Sequence, residues 1–382
     1  MSDVRLFFAG DFCSKPSTSK IMVSDELKEI IQSCDLKVVN FEVPLKPEVN
    51  LPLQRRERFF QNDDSVDFLY DLGFNLFSLA NNHVFDWGEQ GFIKTKGVLG
   101  EAAFGSGTYE EAYKIKVVEI DGIKIGFFAL SFAAYTGVFN DVTDHEGLGC
   151  AYINDFRVNH DIIKAKHQVD YLFMLPHDGI EYIDVPTPDI IARYRDFIDY
   201  GADGVIGTHP HCPQGWEDYK GKPIFYSLGN FFFNSKEDYD YRATLPHWYE
   251  GLCVVLSICD GRVTWKVVNT RNVNNTGILI DHDGFRESHN WQLCEYLEKK
   301  EAYHSYFDTV CAKLGQKDLA IVDRIFHPNT LKECTKLLIK HWKCKIKGQD
   351  FTNDYPLQRL LDHDSNRNLL RYSLKYNLIS NS

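Results

Sequence analysis

Short runs of apolar residues, each ending in a polar turn that contains glycine or proline, recur along the first two thirds of the chain. Each run is about as long as one strand and lacks a polar face, which is typical of strands buried on both sides of a sheet. The pattern predicts seven strands, at residues 4–11, 36–45, 75–83, 124–132, 169–179, 202–211 and 222–233.

Amphipathic stretches lie between several of these runs. They predict helices at residues 24–34, 65–73, 89–102 and 188–201. In the last of these, Tyr194 and Ile198 lie one helical turn apart, and Gly201 suits the end of the helix. The alternation of strands and helices predicts a layered α/β domain.

Two later apolar runs, residues 250–261 and 262–272, have no helix between them and are joined by Asp260-Gly261, which favours a tight hairpin. The sheet is therefore expected to be mixed, or to be two sheets. From about residue 286 the pattern becomes helical, with Lys- and Glu-rich outer faces. The sequence thus predicts a domain at 1–285 and a helical C-terminal region at 286–382.

Composition and charge narrow the classes of function. The 382 residues are 44% hydrophobic and carry a net charge of −12, which favours a globular core and argues against a nucleic-acid partner. We expect no membrane span, because no run approaches about 20 apolar residues. The ten cysteines show no paired spacing, and the first apolar run is interrupted by Gly10-Asp11, unlike a signal peptide. The expected location is the cytoplasm.

Polar side chains that could carry chemistry gather where the predicted strands end. They are Asp11, Asn40, Glu42, Asn81, Asn82, His83, His177, Asp178, Glu181, His209 and His211. Functional groups collect at the carboxyl ends of strands in α/β sheets. Imidazoles and carboxylates suit Zn, Mn or Fe, and two such ions could clamp an anionic substrate and ionise a bridging water. His83 could then protonate the leaving group.

Each of these residues also has a purely structural interpretation. Asp11 could be a turn residue or a helix cap, and Asn82 and His83 could cap the turn that follows them. His209 and His211 flank Pro210, which fixes the local backbone, so the two rings could face two different ions. If these residues served only the hydrogen bonding of their loops, polar side chains with metal-binding chemistry would have to occur at five strand ends by coincidence.

Several segments together resemble the CapA family of bacterial poly-γ-glutamate capsule biosynthesis proteins, within the calcineurin-like metallophosphoesterase superfamily. The segments are GDF (10–12), NFEVPL (40–45), SLANNHVFDWGEQGF (78–92), FGSGTYEEAYKIKV (104–117), PHDGIEY (176–182) and residues 201–233. The resemblance covers about residues 4–260. It implies an α/β fold, a four-layer α/β/β/α sandwich of metallophosphatase type, here with a helical C-terminal extension.

The resemblance also implies a centre of two divalent metal ions (Mn, Fe or Zn). Asp11 and His211 would bind one ion, and Asn82, His177 and His209 the other. Glu42 would bridge the ions, and His83, paired with Asn82, would act as general acid or stabilise the transition state. Candidate substrate-binding residues are Asn40, Glu181 and Asn230.

Two features depart from the family pattern. Cys13 stands where the superfamily has a histidine, and it could ligate as a thiolate, favouring zinc or iron, or be a small buried residue. Capsule-assembly members often carry an N-terminal membrane segment, whereas this chain begins at its first strand. We therefore expect a stand-alone soluble version.

The resulting hypothesis is a metal-dependent hydrolase in which a metal-bound hydroxide attacks a phosphoester or a γ-glutamyl amide. Its substrate would be an anionic small molecule or polymer linked to capsule or cell-surface polymer synthesis. A basic residue near the site would favour phosphate, and Arg55, Arg56 and Arg58 are candidates by position. The alternative is a non-catalytic, metal-binding component of a polymer biosynthesis complex. The C-terminal helical region could dock a protein partner.

Overall fold

The computed structural model describes residues 3–48, 59–133, 137–139, 146–234, 245, 247–282 and 284–311. The chain divides into two compact units. One comprises residues 1–132 and 136–298, and the other comprises residues 133–135 and 299–382. The strands and helices that follow all belong to the first unit.

The described residues of the first unit form two large sheets and one small one. The strands are β1 (Val4–Ser14), β2 (Met22–Val23), β3 (Leu36–Phe41), β4 (Leu76–Ser78), β5 (Ala103–Phe104), β6 (Ser106–Gly107), β7 (Lys116–Ile120), β8 (Ile123–Ser131), β9 (Gly149–Cys150), β10 (Tyr171–His177), β11 (Gly204–Ile206), β12 (Trp216–Tyr219), β13 (Lys222–Phe225), β14 (Asn230–Asn234), β15 (Glu250–Cys259), β16 (Arg262–Val273) and β17 (Gly277–Ile280). A nine-stranded sheet has the order β2-β17-β16-β15-β1-β3-β4-β5, with β14 also paired to β1. A six-stranded sheet has the order β12-β13-β11-β10-β8-β7, and β6 pairs with β9.

Helices accompany the strands, and four of them lie where the sequence pattern predicts a helix between strands. They are α1 (Asp25–Gln32), α2 (Asp64–Asp71), α3 (Gly88–Leu99), α4 (Tyr109–Ala112), α5 (Phe156–Ala165), α6 (Pro188–Tyr200) and α7 (Gly284–Glu298), with 3-10 turns at Thr18–Lys20 and Gly100–Ala102. Helix α6 begins with Pro188 behind the side chain of Thr187, which accepts a hydrogen bond from the Ile190 amide. This start is favourable because proline lacks the amide hydrogen that a first helical turn leaves unpaired.

The two large sheets pack face to face, with helices outside them. Phe8 of β1 lies 6.2 Å from Phe127 of β8 and 6.0 Å from Phe173 of β10, between ring centroids. On the other face of β1, Phe7 lies 6.0 Å from Phe74, and Phe12 stacks at 5.9 Å on Phe68 of α2. Tyr194 of α6 covers the other sheet, and its ring stacks on that of Tyr226, directly after β13, at 5.6 Å. The predicted α/β/β/α sandwich is confirmed.

The predicted hairpin is also confirmed. β15 and β16 pair antiparallel from Glu250 opposite Arg271 to Cys259 opposite Arg262. Asp260 and Gly261, which connect them, have φ angles of 49° and 78°. Two consecutive left-handed residues give the turn whose twist matches that of paired strands.

The prediction of one strand at residues 222–233 was wrong. The segment forms β13 in the six-stranded sheet and β14 in the nine-stranded sheet. The chain crosses between the sheets at residues 226–229, where Gly229 has a φ of 65°. Helices α4 and α5 were not predicted. Asp155 caps the start of α5, and its side chain accepts a hydrogen bond from the Arg157 amide at 2.8 Å.

The predicted helical character after residue 286 is seen in α7 and in residues 300–311, where Tyr303 stacks on Phe307 at 5.7 Å. The division of domains at residue 285 stays a prediction, and residues 312–382 lie outside the described ranges. Among the described residues, the helices are all too short or too polar to cross a membrane.

Candidate metal centre

Asp11 lies inside β1 and not at its end, which corrects the prediction from the sequence. The pairing of β1 with β3 is irregular between Ala9 and Asp11, and the strand then continues to Ser14. At this point β1 approaches the segment before β14 so closely that a Cβ on Gly10 would lie 1.9 Å from the Gly229 carbonyl oxygen. The Asp11 amide donates to that same oxygen at 2.9 Å. Glycine at position 10 therefore permits the contact that fixes Asp11.

The Asp11 carboxylate is fully buried and held from two sides. Oδ1 accepts a hydrogen bond from Asn40 Nδ2 at 2.7 Å, and Oδ2 accepts one from the His209 amide at 3.2 Å. Burial raises the pKa of Asp11 to about 7, although these hydrogen bonds oppose the shift. Burial disfavours the charged form, and a bound cation would reverse that preference.

Asn40 positions its neighbours from within the core. Its Oδ1 accepts a hydrogen bond from Asn81 Nδ2 at 3.3 Å, so its Nδ2 faces Asp11 and lies 3.2 Å from His177 Nδ1. Only 4% of the residue is exposed. The structure therefore places this predicted substrate-binding residue behind the candidate ligands.

His177 presents one ring nitrogen to the other candidate ligands. Nε2 lies 3.0 Å from Asn82 Oδ1 and 3.2 Å from His209 Nδ1, while Nδ1 lies 3.0 Å from Thr208 Oγ1. Burial, aided by the nearby His211 and His83, lowers the pKa of His177 well below its ordinary value. The ring is therefore neutral, which is the form that binds metal ions. Sequence reasoning missed Thr208, although it directly precedes the two-histidine segment.

The two-histidine segment has an unusual backbone. His209 and His211 have φ angles of 104° and 57°, on either side of Pro210. Side-chain-bearing residues rarely adopt positive φ, and such positions cluster at functional sites. The two rings face different partners: His209 Nδ1 faces His177, whereas His211 Nδ1 lies 3.4 Å from Asp11 Oδ2.

Asn230 fixes the orientation of His211. Its Nδ2 donates to the carbonyl oxygens of His211, at 3.2 Å, and Trp248, at 2.9 Å. Its Oδ1 consequently faces His211 Nδ1, at 3.0 Å, so Nδ1 carries the proton and Nε2 the lone pair. Asn230 was predicted to bind substrate, and the structure places it, 3% exposed, behind the His211 ring.

Glu42 lies between the imidazoles of His211 and His177. Its Oε1 is 3.5 Å from His211 Nε2 and 3.9 Å from His177 Nε2, and the residue is fully buried. Ligand atoms within 4.8 Å of one another form two groups, one of Glu42, His209 and His211 and one of Asp11, Glu42 and His177. Glu42 belongs to both groups, as a bridging carboxylate would. The groups place Asp11 with His177 and His209 with His211, which corrects the pairing of Asp11 with His211 that the resemblance implies.

These residues fit a divalent metal centre. Two carboxylates, three imidazoles and the Asn82 amide oxygen, all on buried residues, lie close together, and this donor set suits Zn, Mn or Fe. Cys13 is placed differently, because it packs in an apolar cluster with Val43, Phe233 and Trp248. Among the described residues, neither group of candidate ligand atoms includes its sulfur.

His83 differs from the other histidines of the site because it is partly exposed. Its side chain is 14% exposed, against 1% for His177 and 2% for His211. Nδ1 lies 2.9 Å from Asp86 Oδ2, and this oxygen also accepts a hydrogen bond from the Phe59 amide at 3.1 Å. The carboxylate of Asp86 therefore orients the His83 ring. Asp86 lies in the loop between β4 and α3, and sequence reasoning gave it no functional role.

Two remaining predictions concern the surroundings. Glu181 is half-buried in the turn after β10, and its carboxylate forms no hydrogen bond or ion pair with another residue in the described ranges. Arg55, Arg56 and Arg58 lie outside the described residues.

The part of the chain that contains the candidate metal centre is similar to known proteins. The family model described as bacterial capsule synthesis protein PGA_cap matches residues 5–235, which include all the candidate ligands. Capsule biosynthesis protein CapA of Bacillus anthracis is 29% identical over 215 residues, covering 53% of this chain and 52% of the relative. PGA biosynthesis protein CapA of Bacillus subtilis (strain 168) is 31% identical over 214 residues, covering 54% and 56%. The chain spans about half the length of the curated relatives it matches.

Solved structures with similar chains include a phosphatase from Mycoplasma pneumoniae, 16% identical with a TM-score of 0.45, covering 70% of this chain and 94% of that chain. A 5′-nucleotidase from Candida albicans SC5314 is 12% identical with a TM-score of 0.38, covering 70% and 52%.

Proposed function

This chain belongs to the bacterial capsule synthesis family PGA_cap, and on that premise we propose that it is a metal-dependent hydrolase. Its substrate would be an anionic phosphoester or γ-glutamyl amide connected with the synthesis of a capsule or cell-surface polymer. The observation that carries the proposal is the contrast between three fully buried imidazoles and one partly exposed imidazole beside them.

The buried set would hold the ions. With Glu42 shared, Asp11 and His177 would bind one ion, and His209 and His211 would bind the other. Asn82, whose Oδ1 lies 3.0 Å from His177 Nε2, would join the first. Bound divalent ions supply Lewis acidity to an anionic substrate and lower the pKa of water. The protein keeps the His177 ring neutral by burial and presents the His211 Nε2 lone pair through Asn230.

His83 would transfer the proton. Its Nδ1 is held by Asp86 at 2.9 Å, so Nε2 is the nitrogen available to a leaving group. In the same orientation, Nε2–H would stabilise a transition state if it formed a hydrogen bond without giving up its proton. A general acid held in place contributes about 10²–10⁴-fold to turnover.

A second function is a metal-binding component without catalysis in a polymer biosynthesis complex. The position of Cys13 favours it, because the residue packs among apolar side chains at the place where the superfamily has a histidine. One ion would then have fewer protein ligands. A Mycobacterium tuberculosis relative, 24% identical over 208 residues, carries the name probable polyglutamine synthesis accessory protein.

Activity of the metal-loaded full chain on aryl phosphates, aryl phosphodiesters and γ-glutamyl anilides tests the two functions. We expect turnover on one class, a loss of about 10²–10⁴-fold in His83→Ala with metal retained, and loss of metal in His209→Ala. His282→Ala is a matched control, since His282 is exposed and, among the residues that the structure describes, pairs with Glu26 at 3.1 Å. Equal activity in wild type and His83→Ala would remove His83 from the mechanism. No turnover by a metal-loaded chain on any class would favour the non-catalytic function.

A further inference from the structure

A second cluster of potential metal ligands lies apart from the candidate metal centre. Asp184, in the loop after β10, meets His247, in the turn before β15, and His289, in α7. Their ligand atoms lie within 4.8 Å of one another. Asp184 Oδ2 is 3.3 Å from His289 Nε2 and 3.9 Å from His247 Nε2. Both histidines lie beyond residues 5–235, the span that the family model matches.

The hydrogen bonding of His247 prepares one nitrogen for a cation. Nδ1 lies 2.9 Å from Glu250 Oε2. A carboxylate accepts hydrogen bonds, so Nδ1 carries the proton and Nε2, which faces Asp184, carries the lone pair. A carboxylate behind a histidine in this way is the usual support of a metal-binding imidazole.

The geometry of the two rings also suits a shared ion. The imidazoles of His247 and His289 stack with centroids 4.7 Å apart and an interplanar angle of 4°. Stacked in this way, both rings direct Nε2 toward Asp184 Oδ2, at 3.3 Å from His289 and 3.9 Å from His247. His289 Nε2 is buried and forms no hydrogen bond with any residue in the described ranges, although it lies 3.3 Å from the carboxylate. The 3.3 Å between His289 Nε2 and Asp184 Oδ2 matches the distance between two donor atoms on one tetrahedral ion with bonds of about 2.0–2.1 Å.

We propose that Asp184, His247 and His289 bind one zinc ion, independently of the proposed hydrolase function. Two imidazoles and one carboxylate form a donor set that zinc prefers, with a fourth position left to water. The side chains are 12%, 25% and 20% exposed, so an ion can enter from solvent. The ion would join the loop after β10, the start of β15 and helix α7.

The zinc site would also influence the candidate metal centre. Trp248 directly follows His247, and its ring lies 5.4 Å from the His211 ring. Its carbonyl oxygen accepts the hydrogen bond from Asn230. Zinc at the second cluster would therefore restrain the segment that supports the His211 ring.

Zinc stoichiometry of the full chain tests the proposal. Wild type should bind one more zinc equivalent than His289→Ala or His247→Ala, measured by elemental analysis after equilibration with zinc and removal of free ion. The exposed His282 provides the control, and His282→Ala should bind as much zinc as wild type. Equal stoichiometry in wild type, His247→Ala and His289→Ala would overturn the proposal.

A second measurement guards against variants that fold poorly. In Glu42→Ala/His209→Ala, where the candidate metal centre is removed, zinc should still raise the thermal unfolding midpoint. Adding His289→Gln should abolish that rise while leaving the metal-free midpoint and the circular dichroism spectrum close to those of the parent. A rise of the same size with and without His289→Gln would contradict the site.

Discussion

Replacement of Asn230 tests the geometry of the candidate metal centre without removing a ligand. Asn230→Ala removes three hydrogen bonds: one to His211 Nδ1 and two to the carbonyl oxygens of His211 and Trp248. A buried hydrogen bond contributes about 1 kcal/mol, and each partner left unsatisfied adds to the loss, so we expect the free energy of unfolding to fall by about 2–4 kcal/mol. Loss of the group that orients a ligating imidazole lowers metal affinity by about 10–100-fold.

The two effects are measured separately. Urea unfolding in the presence of a chelator gives the stability of the metal-free chain, and competition with a chromogenic chelator gives metal affinity. Asn230→Asp is the matched variant, because its carboxylate can still accept the proton of His211 Nδ1 but cannot donate to the two carbonyls. It should lose stability as Asn230→Ala does and lose less metal affinity. Unchanged affinity in a destabilised Asn230→Ala would refute the role assigned to Asn230.

Three further predictions concern the fold and the support of the centre. Gly10→Ala should lower the free energy of unfolding by more than about 2 kcal/mol, since its Cβ would meet a carbonyl oxygen at 1.9 Å, whereas Gly97→Ala, on the exposed side of α3 with open space around it, should raise it by about 0.5–1 kcal/mol in the same urea titration. Thr208→Val should weaken metal binding about tenfold in chelator competition by removing the hydroxyl 3.0 Å from His177 Nδ1, and Thr208→Ser should restore it. Phe8→Ala should cost about 3–5 kcal/mol, because the ring fills the interface between the sheets, and a loss below about 1 kcal/mol would contradict that packing.

Apolar runs predicted the long buried strands, because strands buried on both faces lack polar positions. They did not predict β7 or the short strands β2, β5, β6, β9, β12 and β17. They could not locate the crossing between sheets at residues 226–229, since apolar residues continue on both sides and the break depends on contacts of Gly229 with distant residues. The sequence does contain a pattern typical of a helix at α5. Its buried residues Val158, Ile162 and Ala165 follow helical spacing.

The polar residues near the predicted strand ends lie close together in the structure, because neighbouring strands place this part of the chain in one region. The supporting roles of Asn40 and Asn230 were beyond this reasoning, since an amide that orients a histidine and one that contacts substrate look alike in sequence. The zinc cluster was beyond it as well. Asp184, His247 and His289 are more than 40 residues apart in sequence, and only the folded chain places them together.

The metal content of the purified chain tests the central claim most directly. The measurement uses the full chain carrying His289→Ala, so that the second cluster does not contribute, and compares it with the same chain carrying Glu42→Ala and His209→Ala. We predict about one to two equivalents of Mn, Fe or Zn in the first and a nearly complete loss in the second, with both folded by circular dichroism. Absence of metal from the first chain, or equal metal in both, would contradict the account.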